Sequence, residues 1–254
     1  MRKLLWLVAV AVAALTLAAC VGGDDGGGDA SSGDGSGGAS QTAALNLKTE
    51  GRLTAGAEFP VAGFLELPIE NPKGFEVDFA EALARERELG IPEVTWVNTP
   101  FSGLFSPAPK NFDVAINEIT VTPERAKVVD FSDPYLDANQ GFLVTKGGPG
   151  EAARSIADMK GLQFGFQATT TGGDFVNDEI RPSKQPREYS TLGAATRALA
   201  NGQIDAFVTD VAIGSSIVKQ LPDDIAMTGQ FESGRLTAMR KRWFPGTENL
   251  PVFE

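Results

Sequence analysis

The 254-residue sequence contains no histidine and a single cysteine, Cys20. Without histidine there can be no Ser-His-Asp triad, no histidine metal ligand and no histidine pH switch. One cysteine excludes an intramolecular disulfide and a cysteine-rich metal site. Basic residues are also scarce, because 22 Lys and Arg stand against 33 Asp and Glu, a net charge of −11. That balance disfavours binding to nucleic-acid phosphates. We therefore expect no metal, no cofactor and no nucleic-acid partner.

The N-terminus has the pattern of a secretory signal peptide over residues 1–19. Arg2 and Lys3 precede an uncharged run over residues 4–19, which is shorter than the roughly 20 residues that span a bilayer. The end of this run, Leu-Ala-Ala-Cys20, resembles the cleavage box of bacterial lipoproteins, which implies a lipidated Cys20. The alternative is an uncleaved anchor with a buried cysteine. Residues 20–44, rich in Gly, Ser and Asp, predict a flexible linker behind the lipid anchor.

From residue 45 the hydrophobic pattern alternates between strands and helices. Strands are predicted at 52–57, 94–97, 112–116, 140–145, 162–166 and 204–208, and helices at 74–85, 191–200 and 211–221. Such alternation predicts an α/β fold with mostly parallel sheets flanked by helices. Because Gly147-Gly148-Pro149 interrupts the alternation of strands and helices, we predict a first lobe over 45–145, a hinge, and a second lobe over 146–229. Residues 230–254 are candidates to return to the first lobe.

The helix at 74–85 places Phe75, Phe79, Ala82 and Leu83 at helical spacing. This spacing is typical of a helix that ends near Gly90.

Residues 112–143 read FDVAINEITVTPERAKVVDFSDPYLDANQGFL. This segment resembles the extracellular solute-binding proteins of polar amino-acid ABC importers, the family-3 type, whose members carry T-x-T-P-E-R-A and then V-D-F-S-D-P-Y. Thr120 and residues 122–126 and 130–135 fit the two motifs. Further matching pieces fall in family order: GFEVD at 74–78, TPFSGL at 99–104, GFQATT at 165–170 and GQIDAFVTD at 202–210. The resemblance covers roughly residues 50–230.

The resemblance implies a two-lobed periplasmic-binding-protein fold, type II, that closes on one free amino acid. It further implies delivery of that amino acid to the membrane subunits of an ABC permease. We expect a monomer that is not an enzyme and that is held by its lipid anchor at the extracytoplasmic face of the cell membrane. Two alternatives stay open: a dehydratase-like enzyme on the same fold, and a ligand sensor that feeds no transporter.

Two charged residues are the principal candidates for binding an amino acid. Arg125 offers a planar fork that pairs bidentately with a carboxylate, although its spacing alone equally describes an exposed helix residue. The resemblance places Arg125 on the ligand carboxylate. Asp210 ends a strand, at the edge where open α/β sheets bind ligands. The resemblance implies that Asp210 binds the ligand's α-ammonium group. The alternative is that its side chain caps the following helix.

The remaining candidates come from the resemblance as well. Thr169 and Thr170 precede a helix, where they either bind an anion or simply cap the helix. Thr120 aligns with a position that reads the ammonium group. Phe101 aligns with a residue that packs on the ligand, and Phe64 lies near the aromatic stacking site, although each is equally expected as core.

The sequence departs from the family pattern at three places. Asn117-Glu118 replaces two small residues, and Glu118 either points outward or adds a second carboxylate to the pocket, where it favours a ligand with a cationic side chain. Val61 stands where the family has an aromatic residue. The resemblance fades after about Gly234, so we expect a truncation or a change of reading frame there, which would remove part of the first lobe's apolar cover.

Overall fold

The computed structural model describes residues 46–86, 90–231 and 252–253. Nine strands are found in these ranges: β1 (Arg52–Ala57), β2 (Glu93–Asn98), β3 (Val114–Ala115), β4 (Gln140–Thr145), β5 (Phe164–Gln167), β6 (Arg187–Tyr189), β7 (Ala206–Asp210), β8 (Ile225–Phe231) and β9 (Val252–Phe253). The helices are α1 (Phe75–Arg85), α2 (Phe101–Leu104), α3 (Ile156–Met159), α4 (Thr171–Phe175), α5 (Leu192–Ala200) and α6 (Val211–Gln220). A 3-10 helix covers Arg125–Lys127, and a π-helical turn, Val176–Ile180, continues α4.

Several predictions fall on parts of the chain outside these ranges. The signal peptide, Cys20 and nearly all of the linker lie there, as do residues 232–251 and 254 of the predicted C-terminal segment. Among the helices that the structure describes, none has the length and apolar character needed to cross a bilayer.

The first sheet is parallel and has the strand order β2-β1-β3. The central strand β1 is buried from Leu53 to its end, as expected for a strand with neighbours on both sides and cover on both faces. The strand predicted at 112–116 pairs only at Val114 and Ala115. Together with α1 and α2, this sheet forms the first lobe.

The second sheet has the order β6-β5-β7-β4-β8-β9, and with α3–α6 it forms the second lobe. Its strand β4 runs antiparallel to both β7 and β8. We predicted this strand, 140–145, in the first lobe, and that placement is wrong. Phe142, Leu143 and Val144 are fully buried, because β4 lies between β7 and β8 and each of its faces packs against a hydrophobic cluster. The turn at Gly147, whose φ is +69°, therefore lies inside the second lobe, and residues 116–139 connect the two sheets.

The helix α1 spans the predicted residues, but its buried face is not the one that carries Phe75 and Leu83. Glu76, Val77, Ala80 and Ala84 are buried, whereas Phe75 is 43% exposed and Leu83 is 39% exposed. The apolar residues at helical spacing are therefore not the buried ones, because the surrounding structure accepts the smaller residues Ala80 and Ala84 instead. Gly74, which precedes α1 at φ +125°, lets the start of the helix pass close to the loop after β1, since a Cβ atom there would lie 2.3 Å from the carbonyl oxygen of Phe64.

The ends of strands from both lobes converge on one cleft. Glu58 follows β1, Gln167 ends β5 and Asp210 ends β7. Because β4 is antiparallel to β7, its first residue, Gln140, lies beside Asp210. The carboxyl ends of parallel strands are the usual ligand-binding edge of open α/β sheets, so a ligand site is expected in this cleft.

Candidate functional site

A small cavity lies in this cleft and is lined by residues of both lobes. Its volume is about 40 Å³, roughly the space of one water molecule. Its polar lining comprises Glu58, Asn117, Glu118, Thr120, Arg125, Gln140, Gln167, Thr170, Thr171, Thr209 and Asp210. A larger cavity of about 390 Å³ adjoins it, and the two share Asn117, Glu118, Thr120 and Asp210.

Arg125 is held by carbonyl groups and aromatic rings. Its Nη1 donates to the carbonyl of Thr120 and its Nη2 to the carbonyl of Thr169, both at 2.8 Å. The guanidinium carbon lies 4.6 Å from the ring centre of Phe105 and 5.4 Å from that of Phe101. Such cation–π contacts orient a cation that is partly removed from water. Burial lowers the pKa of Arg125, while the charges of Asp174 and Asp210 oppose that shift. Arg125 therefore presents a fixed cation to the cavity.

Asp210 lies on the opposite lobe and is 8% exposed. Its Oδ1 accepts a hydrogen bond of 2.6 Å from Nε2 of Gln140. Burial raises the pKa of Asp210 to about 6, against the opposing effects of Gln140 and of the charge on Arg125. Although Asp210 precedes α6, its side chain makes no capping hydrogen bond. The helix-cap alternative is therefore not what the structure shows, and the carboxyl group is left to line the cavity.

The three predicted threonines have different environments. Thr120 is buried and lines both cavities, and its carbonyl binds Arg125. Thr170 is the N-cap of α4, since its hydroxyl accepts from the backbone N–H of Gly173 at 3.2 Å, and it also lines the small cavity. Thr169 is exposed and adopts φ +62°, and its carbonyl accepts from Arg125. Its side chain is not part of the lining.

Of the two predicted phenylalanines, one lies at the site. Phe101 lines the small cavity and packs beside Arg125. Phe64 is 2% exposed in the hydrophobic core, edge-on to Phe75, and lines neither of the two cavities. Phe64 therefore takes the core position that the sequence left open as its alternative. Val61 occupies the cavity wall instead, because the turn after β1 directs Phe64 under α1.

Glu58 was not among the predicted residues, yet it joins the two lobes. Its Oε2 accepts from the backbone N–H of Phe101 at 3.0 Å and from Nε2 of Gln167 at 2.9 Å. Its Oε1 accepts from the backbone N–H of Leu192, at the start of α5, at 3.2 Å. The signal that could have found Glu58 is its position directly after a central parallel strand.

Glu118 lies in the cavity wall with a second acid, Glu76, next to it. Both oxygens of the Glu118 carboxylate are buried and have no hydrogen-bond partner among the described residues. Burial raises the pKa of Glu118 well above its usual value, and the charges of Glu76 and Asp210 add to the effect. Glu76 accepts a hydrogen bond of 2.5 Å from the hydroxyl of Tyr135, and burial raises its pKa to about 7.

The described residues include no cluster of three potential metal ligands. The cleft instead combines one fixed cation on one lobe with carboxyl groups on both. Two α/β lobes that meet at such a cleft are typical of proteins that close around a small polar ligand.

Comparison with known proteins identifies the family. The model of the bacterial extracellular solute-binding proteins, family 3, matches residues 56–246, and the chain belongs to this family. The match continues past Gly234, where the resemblance found in the sequence fades.

The individual relatives are amino-acid-binding proteins. The chain is 33% identical to the L-cystine-binding protein TcyJ of Escherichia coli over 70% of this chain, and it spans 64% of the length of that relative. It is 29% identical to the glutamine-binding protein of Geobacillus stearothermophilus, over 86% of this chain and 85% of the relative. Among solved structures, the arginine-bound form of a truncated ArgBP from T. maritima is 34% identical, with a TM-score of 0.60 over 73% of this chain and 84% of the other.

Proposed function

We propose that this protein binds one free amino acid between its two lobes and delivers it to an ABC permease. The observation that carries the proposal is that Arg125 and Asp210 line one cavity from opposite lobes. A free amino acid carries a carboxylate and an ammonium group, and these two residues supply the opposite charges. Membership of a solute-binding family supports the same function.

The size of the small cavity suggests how the ligand enters. At about 40 Å³ the cavity is too small for an amino acid, so the lobes must part to admit one. The ligand would then bridge the lobes, and its contacts with both would stabilise the closed arrangement. Glu58 and the bond from Arg125 to Thr169 already join the lobes across the cleft.

The proposal also covers where the protein acts and how it is attached to the membrane. We propose that the protein works outside the cytoplasm as a monomer and that acylated Cys20 tethers it to the membrane. Two or more acyl chains make such a tether stable. We propose no catalytic step, since neither the family description nor the named relatives denote an enzyme.

Substitutions in the clamp formed by Arg125 and Asp210 test this function. We expect Arg125→Ala and Asp210→Asn each to weaken binding by roughly tens to thousands of times, because loss of one partner of a buried charge pair costs about 2–5 kcal/mol. The measurement is isothermal titration calorimetry with the best ligand from a thermal-shift screen of the twenty amino acids plus ornithine and citrulline.

The matched controls are Arg187→Ala and Asp223→Asn, which alter exposed residues away from the cleft. Both should bind as the unaltered protein does. Unchanged affinity in Arg125→Ala would show that the ligand is held elsewhere.

A further inference from the structure

Glu118 is energetically unfavourable at its position in the fold. Its backbone φ is +45°, a conformation that residues with a side chain rarely adopt. Its carboxylate is also buried without a hydrogen-bond partner among the described residues. A buried carboxylate without a counter-charge is unfavourable. A glycine at this position would relieve both the backbone strain and the burial of a carboxylate, so the cation that would compensate Glu118 has to be identified.

The position of Glu118 restricts where that cation can come from. Glu118 lines both the small cavity that contains Arg125 and the adjoining cavity of about 390 Å³. Among the described residues that line the larger cavity, the one basic side chain is Lys110. Its Nζ already donates to the carbonyl of Gly103 at 2.8 Å and to that of Ser106. Arg125 is engaged with two carbonyls. A group that pairs with Glu118 is therefore expected to enter from the cavities.

Neighbouring residues hold Glu118 at this place. The backbone N–H of Glu118 donates to Oε1 of Glu76 at 2.5 Å, and the hydroxyl of Tyr135 donates to the same oxygen. Phe79 stacks on Tyr135 with ring centres 4.4 Å apart. Glu76 is therefore a positioning residue, since its hydrogen bond with the backbone N–H holds the unusual backbone conformation of Glu118 in the wall of the two cavities.

Counting charges then defines the class of ligand. An amino acid presents one carboxylate to Arg125 and one ammonium group to Asp210. The third acid of the small cavity, Glu58, accepts three hydrogen bonds from Phe101, Gln167 and Leu192, which leaves the carboxylate of Glu118 unmatched. We infer that Glu118 is the counter-ion for a second cationic group on the ligand, so that the ligand carries a net charge of +1. Arginine, lysine and ornithine have this chemistry. The inference rests on the proposed function, because it takes the clamp of Arg125 and Asp210 as given.

Ligand binding should also release a proton. Glu76 from α1, Asp210 from β7 and Tyr135 from the connection between the sheets interact electrostatically with Glu118. The other charged groups that line the cavities with it are Arg125 and Glu58 in the small cavity, and Lys110, Asp113, Asp130 and Asp133 in the larger one. Burial and the two neighbouring carboxylates raise the pKa of Glu118, which favours its protonated form in the empty cleft. A cation placed beside it favours the ionised form, and the proton leaves to solvent.

The experiment compares arginine with citrulline, which has the same heavy-atom skeleton but a neutral urea group in place of the guanidinium. We expect the unaltered full-length protein to bind arginine at least about tenfold more tightly than citrulline. Glu118→Gln should weaken arginine binding by about 30-fold or more and change citrulline binding by less than about threefold. Glu118→Gly, which suits the positive φ, should give the same pattern if Gln disturbs folding. Exposed Glu70→Gln is the matched control and should change neither affinity.

A second readout distinguishes a charge pair from a merely structural role. Arginine titrations near pH 7 in two buffers of different ionisation enthalpy should show proton release in the unaltered protein and a smaller release in Glu118→Gln. Glutamine closely mimics a protonated glutamate, so unchanged arginine affinity in Glu118→Gln would overturn the inference. Equal affinity of the unaltered protein for arginine and citrulline would overturn it too while leaving the proposed function intact. Binding of no amino acid at all would instead refute the proposed function.

Discussion

The carboxyl group of Glu76 shows how one buried residue can set the pH dependence of stability. Glu76 is fully buried, although it lies in the first turn of α1. Burial raises its pKa from 4.5 to about 7, while the hydrogen bonds from Tyr135 and from the backbone of Glu118 act in the opposite direction. The folded protein therefore binds more protons than the unfolded chain between these two pH values. By linkage, the free energy of unfolding falls as the pH rises through this window.

We predict that Glu76→Gln makes the free energy of unfolding depend less on pH in this window. Each unit by which the pKa differs between the folded and the unfolded protein corresponds to about 1.4 kcal/mol. Glu76 should therefore lower the free energy of unfolding by an amount on the order of 3 kcal/mol between pH 4.5 and pH 7. Gln retains an oxygen that can accept the hydrogen bonds from Tyr135 and Glu118. Urea unfolding at pH 5, 6, 7 and 8 measures the effect, with exposed Glu70→Gln as the control. Parallel pH profiles for Glu76→Gln and the unaltered protein would contradict the prediction.

The helix α5 illustrates what a cap contributes to an element. Thr191 precedes it in an extended conformation, and its hydroxyl accepts from the backbone N–H of Ala194 at 3.2 Å. The next residue, Leu192, donates its backbone N–H to Glu58 of the first lobe. The start of α5 therefore belongs to the core of its own lobe and to the contact between the lobes.

We predict that Thr191→Ala lowers the free energy of unfolding by about 1 kcal/mol, because it removes an N-cap hydrogen bond. The same substitution inside the helix, Thr196→Ala, is the matched control. The Thr196 hydroxyl donates to the carbonyl of Leu192, an intrahelical bond of small value, and alanine is the better helix former. Thr196→Ala should therefore be neutral or slightly stabilising in urea unfolding. Equal losses for both variants would argue against a capping role of Thr191.

For the molecule as a whole, the candidate site depends on both lobes. Glu58 belongs to the first lobe, and Arg125, in the connection between the sheets, packs against Phe101 and Phe105 of that lobe. Asp210, Gln167 and Thr169 belong to the second lobe. The hydrogen bonds of Glu58 and Arg125 with the second lobe lie at the cleft where a ligand is proposed to bind. A ligand in the cleft would therefore act on the equilibrium between open and closed lobes, because its contacts replace or add to these bonds.

The proposed tether concerns the whole molecule too. We predict that Cys20→Ala releases the protein from the membrane fraction into the soluble extracytoplasmic fraction, because the thiol that would be acylated is gone. Fractionation of cells that express each form measures this, and mass spectrometry of the N-terminal peptide should show acylated Cys20 in the unaltered protein. The prediction fails if both forms divide equally between the fractions.

The sequence determined most elements and the chemical types at the site. Hydrophobic periodicity located β1, β4, α1, α5 and α6, since local pattern and side-chain period are properties of the chain alone. The motif around Arg125 and the strand that ends at Asp210 indicated both ends of the proposed clamp. The sequence also indicated Glu118 as a departure with two open interpretations.

Only the tertiary structure decided which lobe β4 joins, which face α1 buries and which aromatic residue lies at the site. Strand partners come from distant parts of the chain, so β4 could not be assigned from its own residues. The buried face of α1 depends on the space left by the sheet, which selected Ala80 and Ala84 over Phe75 and Leu83. The roles of Glu58 and Glu76 arise from hydrogen bonds between residues 42 to 134 positions apart, and no local pattern contains that information.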